Sequence, residues 1–384
     1  MAKQAGNKHF TGILELNDKR SGYLRDPKRN YSVHPQDPQV TRDMVEKFRL
    51  RGGEPITSLV GIGKKGRGRP FVREIETIGE KKPDVYGEVG SFDDLPVVHP
   101  TEQLKFETGD GSMSMRIVDL FTPIGKGQRG LIVAPPRTGK TILLQQMAHG
   151  IRTNHPDVLL MMLLVDERPE EVTEMRRTVC KDGSGWQNGD PEVVYSSNDH
   201  EPKNHARIAE LMIAKAKRFV ETGRDVVILF DSLTRLGRAY NNLVGSSGRT
   251  MTGGLDIRAL VTPKHIFGAA RKIENGGSLT IIASVLIETG SRMDDFIFQE
   301  FKGTGNMELV LSRELANLRI WPAKNLAESG TRKEEMLLGE EACDKMARVR
   351  RRLLSMSPPQ QMETILGELG KFDSNQKYLA NLAS

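Results

Sequence analysis

Residues 134–141 read APPRTGKT, entered by the apolar run GLIVA and left by the helical pattern TILLQQMAHGI. This is the spacing of a phosphate-binding loop, with Ala134 where the first glycine of the pattern stands. Thr138 and Gly139 form its turn, and Gly139 lets the backbone approach a phosphate. The helix that opens at once aims its free N–H groups and the positive end of its dipole at the anion. Lys140 is placed to reach β- and γ-phosphates, and Thr141 to hold Mg²⁺ through its hydroxyl.

Two carboxylates are positioned to work on such a phosphate. Asp231 ends the run DVVILFD, so it emerges at the C-terminal edge of a strand, where open α/β sheets bind ligands. A Mg²⁺–water contact is its expected task; capping the next helix is the plainer alternative. Glu167 follows another apolar run in VDERPEE. A carboxylate there can orient and polarise the water that attacks a γ-phosphate. Arg168 beside it can sense the same phosphate. Glu170, Glu171 and Glu174 read as the solvated face of a helix opened by Pro169.

These side chains need a frame. Apolar strands at 129–135, 158–167, 225–231 and 278–286 alternate with helical stretches, which predicts an α/β fold with a mostly parallel sheet covered on both faces. Ahead of it, residues 10–80 read as five short strands, at 10–16, 21–26, 30–35, 56–62 and 71–78. A helix opened by Thr41 lies between the third and fourth and stops at Gly52-Gly53. That layout predicts an all-β OB-fold barrel. Its last loop, GKKGRGRP, sets Lys64, Lys65, Arg67 and Arg69 among glycines, a composition suited to a nucleic-acid backbone. The expected division is a barrel over 1–82, a linker rich in Pro, Gly and Asp over 83–100, and the α/β part over 101–384, mainly helical from about Thr331.

The charge is uneven. Residues 1–82 carry 18 Lys and Arg against 10 Asp and Glu, whereas the whole chain of 384 residues is only +6. A basic module on a slightly acidic body points to a polyanionic partner. Cys180 and Cys343 lie far apart with no metal-ligand spacing, and read as small buried hydrophobes. No apolar run approaches the ~20 residues that cross a bilayer, and MAKQAGNKHF has no apolar leader pattern. A cytoplasmic protein without a membrane partner is expected.

The strings GLIVAPPRTGKTILLQ, DERPEEVTEM, DSLTRLGRAYN, FKGTGNMELVLSR and GTRKEE resemble, in order and spacing, the Rho family of bacterial transcription termination factors. The resemblance runs from about His9 to Leu353. It implies a RecA-like P-loop ATPase core, a cold-shock-like OB-fold that binds single-stranded RNA, and a homohexameric ring with ATP and Mg²⁺ between subunits. It further implies 5′-to-3′ translocation towards an RNA polymerase elongation complex. By matching motif, Glu167 is the catalytic base, Arg332 of GTRKEE is an arginine finger, Arg137 contacts phosphate and Trp321 stacks on the base. The segment Gly125, Lys126, Gly127, Gln128, Arg129, Gly130 falls where the family lines the nucleotide site, as does Ile142 after the loop. Two pore loops would grip RNA, one with Arg249, Thr250, Thr252, Gly253 and Gly254, the other with Arg292 where the family usually has lysine. On the barrel, Tyr23, Arg25 and Tyr31 fall near the family's base-stacking positions, with fewer aromatics than usual. Phosphate contacts are therefore expected to carry more of the RNA affinity. A rotary or export-type ATPase subunit, and an RNA-binding protein with a vestigial nucleotide site, are the competing readings. The basic barrel weighs against the first; the joint presence of Lys140, Thr141, Glu167 and Asp231 weighs against the second.

Overall fold

The structure, a computed structural model, describes residues 8–62, 68–180, 190–244 and 254–382. The first five strands, β1 (Lys8–Leu16), β2 (Gly22–Arg25), β3 (Gln39–Val40), β4 (Pro55–Ile62) and β5 (Pro70–Ile78), close into a barrel in the order β1-β2-β3-β5-β4. Helix α1 (Arg42–Lys47) joins β3 to β4, and the Thr41 hydroxyl accepts from the Met44 N–H as its cap. Alternation fills the barrel: Leu14, Leu24, Val40, Ile56 and Val72 face inward. The third strand departs from expectation. Residues 30–35 are not extended, because Asn30 and Tyr31 both take left-handed backbone angles (φ 49° and 55°). They form a turn, and the strand begins only at Gln39.

A connector carries α2 (Pro83–Tyr86), β6 (Val97–Val98) and β7 (Gln103–Leu104) into α3 (Met113–Phe121) and β8 (Ile124–Gly125). The main sheet is then built from β9 (Arg129–Ala134), α4 (Lys140–Asn154), β10 (Leu159–Glu167), α5 (Pro169–Val179), β11 (Glu192–Ser197), α6 (Pro202–Glu221) and β12 (Asp225–Asp231). It continues through α7 (Leu233–Val244), α8 (Val261–Gly268), β13 (Arg271–Ile273), β14 (Ser278–Leu286), α9 (Arg292–Lys302), β15 (Met307–Val310), α10 (Arg313–Asn317) and β16 (Gly330–Thr331). Its order is β11-β10-β12-β14-β9-β15-β16, and the five strands from β11 to β9, with β15, run parallel. Helices α11 (Glu335–Leu338), α12 (Glu340–Leu353), α13 (Pro358–Leu369) and α14 (Asn375–Asn381) follow.

Both faces of the sheet are buried, as the unbroken apolar strands require. Met161, Leu163 and Val165 of β10 join one core with α6, while Leu160, Met162 and Leu164 join the other with α4 and α5. The C-terminal helices pack Met346, Val349, Met362 and Ile365 on Phe121 and Leu120 of α3.

The barrel rests on α6. Gly53 (φ 87°) lies so close that a methyl group there would meet the Ala214 backbone at 2.3 Å, so only glycine fits. Tyr31 is fully buried in this interface. Its hydroxyl meets the Glu192 carboxylate and accepts from Lys215 Nζ at 2.8 Å, and Lys215 also pairs with Glu192. Further along, Arg51 bonds Glu221 at 2.9 Å and Arg218 bonds Glu221 at 2.6 Å. A buried ionic network with each charge partnered holds one geometry, because removing any member strands the others away from water.

Candidate functional site

The parallel sheet brings three chain-distant residues to one edge. The phosphate-binding loop leaves β9, Asp231 ends β12 and Glu167 ends β10, all at the carboxyl side where such sheets bind ligands. Lys140 Nζ lies 2.5 Å from Asp231 Oδ1 and 3.6 Å from Glu167 Oε1. Burial works against the ammonium, but Asp231 and Glu167 outweigh it and hold its pKa above the ordinary lysine value. Asp231 also accepts from Ser284 Oγ of the neighbouring strand at 2.6 Å.

Glu167 is only 3% exposed. It is aimed by a bulge: the pairing of β10 with β11 shifts between Val165 and Glu167, and Asp166 takes a left-handed φ of 58°. Bulges re-aim side chains next to sites of this kind. Burial first, and the Asp231 carboxylate second, push the Glu167 carboxyl above the usual glutamate range, against the pull of Lys140 and Arg235. A carboxylate with a raised pKa suits a general base.

The loop itself is built for close approach. Thr138 is buried and its hydroxyl donates to the Pro135 carbonyl at 2.7 Å, closing the turn. Gly139 has φ 83°, and a methyl group there would stand 2.8 Å from the Trp321 ring. Trp321, 43% exposed, thus lies directly against the loop. Arg137, Ile142 and Arg168 are exposed around the same edge, and Thr141 is half-buried at the second position of α4. The Mg²⁺ implied by Thr141 and Asp231 fits this donor set: one buried carboxylate and one hydroxyl beside a phosphate site is how Mg²⁺ is held, with waters and substrate completing its shell. No cluster of three or more His, Cys, Asp or Glu able to cage a metal occurs among the described residues.

Arg235 escaped the sequence reading. It stands in the first turn of α7, four positions after Asp231, with Nε 3.2 Å from Glu167 Oε1 and Nη1 donating to Asp166 Oδ2 at 3.3 Å. The signal was there in DSLTR, where a helix starting at a strand end returns its first cation to that edge.

Arg332 and residues 125–130 lie elsewhere. They sit at the opposite end of β9, whose five rises of ~3.3 Å set Arg129 about 17 Å from Ala134 at the loop. The Arg332 N–H donates to the Asn306 carbonyl beside the start of β15. Gly125 to Gly130 therefore do not line the pocket of their own phosphate loop. Several are spoken for: Lys126 pairs with Glu102 and Asp225, and the buried Gln128 side chain accepts from Gly125 N and donates to Asn306. Gly127 (φ 101°) packs on the Lys272 backbone, and Gly130 packs on Met307. Arg129, Arg271 and Arg332 share a cavity of about 420 Å³. Burial, then repulsion from Arg271 and Arg332, lowers the Arg129 pKa. Three crowded guanidiniums form a surface that a polyphosphate would relieve.

On the barrel, Tyr23, Gln39 and Phe71 stand in register across β2, β3 and β5. Their neighbours Leu24, Val40 and Val72 are in the core, so these three face outward together. Arg25 lies 5.2 Å above the Tyr23 ring and Arg73 5.8 Å from Phe71. Phe71 was missed in the sequence, where it reads simply as one more apolar strand residue. Two expectations need correcting. Tyr31 has no exposed ring face, because its turn folds it into the α6 interface. Arg25 is 7% exposed and held by Glu15 and by Asp37 at 2.7 Å. Arg69 is exposed immediately before β5, Arg292 is exposed at the first position of α9, and the Gly254 carbonyl accepts from Asn241 at 3.0 Å. Lys64, Lys65, Arg67, Arg249, Thr250, Thr252 and Gly253 lie outside the described residues.

Comparison with known proteins agrees with both halves. The family described as "Rho termination factor, RNA-binding domain" matches residues 10–84, and "ATP synthase alpha/beta family, nucleotide-binding domain" matches 114–331. The transcription termination factor Rho of Cereibacter sphaeroides is 47% identical over 97% of this chain and 86% of its own. The chain belongs to the Rho family. The Rho of Aquifex aeolicus is likewise 47% identical, over 96% of this chain and 83% of its own. Among solved structures, an ATPase from the type III secretion system of pathogenic bacteria superposes with a TM-score of 0.62, covering 82% of this chain and 94% of that one. At 20% identity, that likeness speaks for the P-loop ATPase fold alone. The chain thus joins a Rho RNA-binding barrel to the nucleotide-binding domain of an ATP-hydrolysing enzyme. Among the described residues, no helix is long and apolar enough to cross a membrane.

Proposed function

We propose that this chain is an RNA-dependent ATPase that works as a homohexameric ring and terminates transcription. Single-stranded RNA is captured on the barrels, drawn 5′ to 3′ through the ring, and released from the RNA polymerase elongation complex. The observation that carries the ring is the separation of the two halves of the site. The phosphate loop, Asp231 and Glu167 share one edge of the sheet, while Arg332 stands at the other. Arg332 can serve as an arginine finger only for a neighbour's nucleotide. Arg129 and Arg271 beside it add to the charge presented to that neighbour.

ATP sits with its phosphates over the N-terminus of α4 and its base on Trp321. Lys140 turns from Asp231 to the β- and γ-phosphates, which frees the Asp231 carboxylate. Thr141 and Asp231 would hold Mg²⁺, which would supply neutralisation of the phosphate charge. Glu167 orients the attacking water and takes its proton, with Arg235 fixing the carboxylate. Arg332 of the adjacent subunit meets the charge that develops on the γ-phosphoryl group. Arg168 senses whether that group is present. The barrel holds bases on Tyr23 and Phe71, and Arg69 with the basic 63–67 stretch holds phosphates. Gly254 and Arg292 belong to the segments that contact RNA in the ring centre.

A single substitution tests the division into two sites. Lys140→Ala is expected to abolish ATP turnover and to leave binding of a labelled cytosine-rich RNA to the barrel within about two-fold, since stacking and phosphate contacts there involve none of the loop. Joint loss of turnover and RNA binding would contradict it.

A further inference from the structure

Helix α6 touches both proposed sites. Along its length it carries the barrel, and its first turn lies beside the strand end that presents Glu167. A chain of polar contacts runs between them, open at the His205–Asp166 step of 4.0 Å. Arg25, over the Tyr23 ring, pairs with Glu15 of β1. Glu15 accepts from Arg207 of α6 at 3.1 Å through both oxygens. The same guanidinium donates to the Tyr31 carbonyl at 3.0 Å and to Asn204 Oδ1 at 3.2 Å. Asn204 Nδ2 donates to Ser196 Oγ at 2.9 Å, and that hydroxyl lies 2.7 Å from His205 Nδ1. His205 Nε2 stands 4.0 Å from Asp166 Oδ1. Asp166 is bonded by Arg235, which also faces Glu167.

We propose that Arg207 and His205 are positioning residues that couple RNA capture on the barrel to the placement of the Glu167 carboxylate. The proposal rests on the functional reading above. It needs an element with two arrangements, and the proposal places one at each end of the path. Arg25 is shared between Glu15, Asp37 and the face of Tyr23, so a base stacked on Tyr23 bears on Arg25 through the ring and alters the hold of Arg25 on Glu15. At the far end, the His205–Asp166 separation is longer than a hydrogen bond. Asp166 holds a left-handed φ at the bulge immediately before Glu167, a conformation that persists only while its surroundings maintain it. Closing the His205 link shifts Asp166, and with it both Glu167 and the Arg235 bridge. The interface is stiff enough to transmit this, because Gly53 and the Tyr31–Lys215–Glu192 network fix the barrel to the same helix.

The test uses the full chain with Arg207→Ala, Arg207→Lys and His205→Asn. Barrel RNA affinity is read without nucleotide, and kcat and KM for ATP with and without saturating RNA. Arg207→Ala is expected to keep RNA affinity, KM and RNA-free turnover within about two-fold, and to lower RNA-stimulated kcat about ten-fold. Arg207→Lys, which keeps the charge towards Glu15, restores part of the loss. His205→Asn reproduces the defect without touching the barrel interface, and carries the test if Arg207→Ala melts early. A full RNA-stimulated kcat in both Arg207→Ala and His205→Asn overturns the proposal alone. Loss of RNA affinity in Arg207→Ala also overturns it, making Arg207 a binding residue. A parent chain whose turnover ignores RNA overturns the functional reading as well.

Discussion

Arg332→Ala is expected to lower RNA-stimulated ATP turnover by about 10³–10⁵-fold, the range an arginine finger supplies to phosphoryl transfer. The ground is positional: Arg332 cannot reach its own phosphate loop, whose strand separates the two. The substitution should leave ATP binding in each isolated subunit close to normal, because Trp321, Lys140 and the loop amides are untouched. Mixing two variants separates action within a subunit from action across an interface. Combined with Lys140→Ala subunits, Arg332→Ala subunits are expected to regain turnover at those interfaces where an intact loop meets an intact finger. Two residues acting within one subunit could show no such complementation. The readout is steady-state ATPase across a titration of the two variants at constant total protein.

The second large effect concerns Glu167. Glu167→Gln keeps the shape of the side chain but cannot accept a proton, and kcat should fall by about 10²–10⁴-fold with KM for ATP little changed. The pH dependence follows from the sign of the shift. A base works only when ionised, and burial together with Asp231 raises the Glu167 pKa above the ordinary glutamate value. Turnover is therefore lost as pH falls through that raised value, so the acid limb of the kcat profile lies above the ordinary carboxylate range. In Glu167→Gln the residual rate should lack that limb. An acid limb unchanged by the substitution would assign it to another group.

Much of this site could be read before the structure because its motifs combine two signals. Lys140, Thr141, Asp231 and Glu167 each follow an apolar strand, and a parallel sheet brings all such strand ends to one edge. What the sequence hid was of another kind. Arg235 faces Glu167 only because α7 starts at the end of β12 and turns back over the sheet. Phe71 joins the outward face of Tyr23 only in register with Gln39, across a parallel pairing of strands far apart in the chain. Tyr31 looked like a stacking residue within a third strand over 30–35. Two successive left-handed residues make that stretch a turn, and the ring goes into a buried contact with Lys215 and Glu192. Residues 125–130 are close to the phosphate loop in sequence and a strand's length from it in space. The fold classes themselves, barrel and α/β sheet, were legible from alternation and from unbroken apolar runs. The exact third strand was not, since two residues leave almost no pattern.

The most direct test of the account is ATP hydrolysis by the purified protein with single-stranded cytosine-rich RNA, with single-stranded DNA of the same sequence, and with neither. Strong stimulation by the RNA alone is the predicted result, and it would tie the barrel, the ring and the phosphate loop into one motor. Equal rates in all three would contradict the coupling between RNA and hydrolysis on which the account stands.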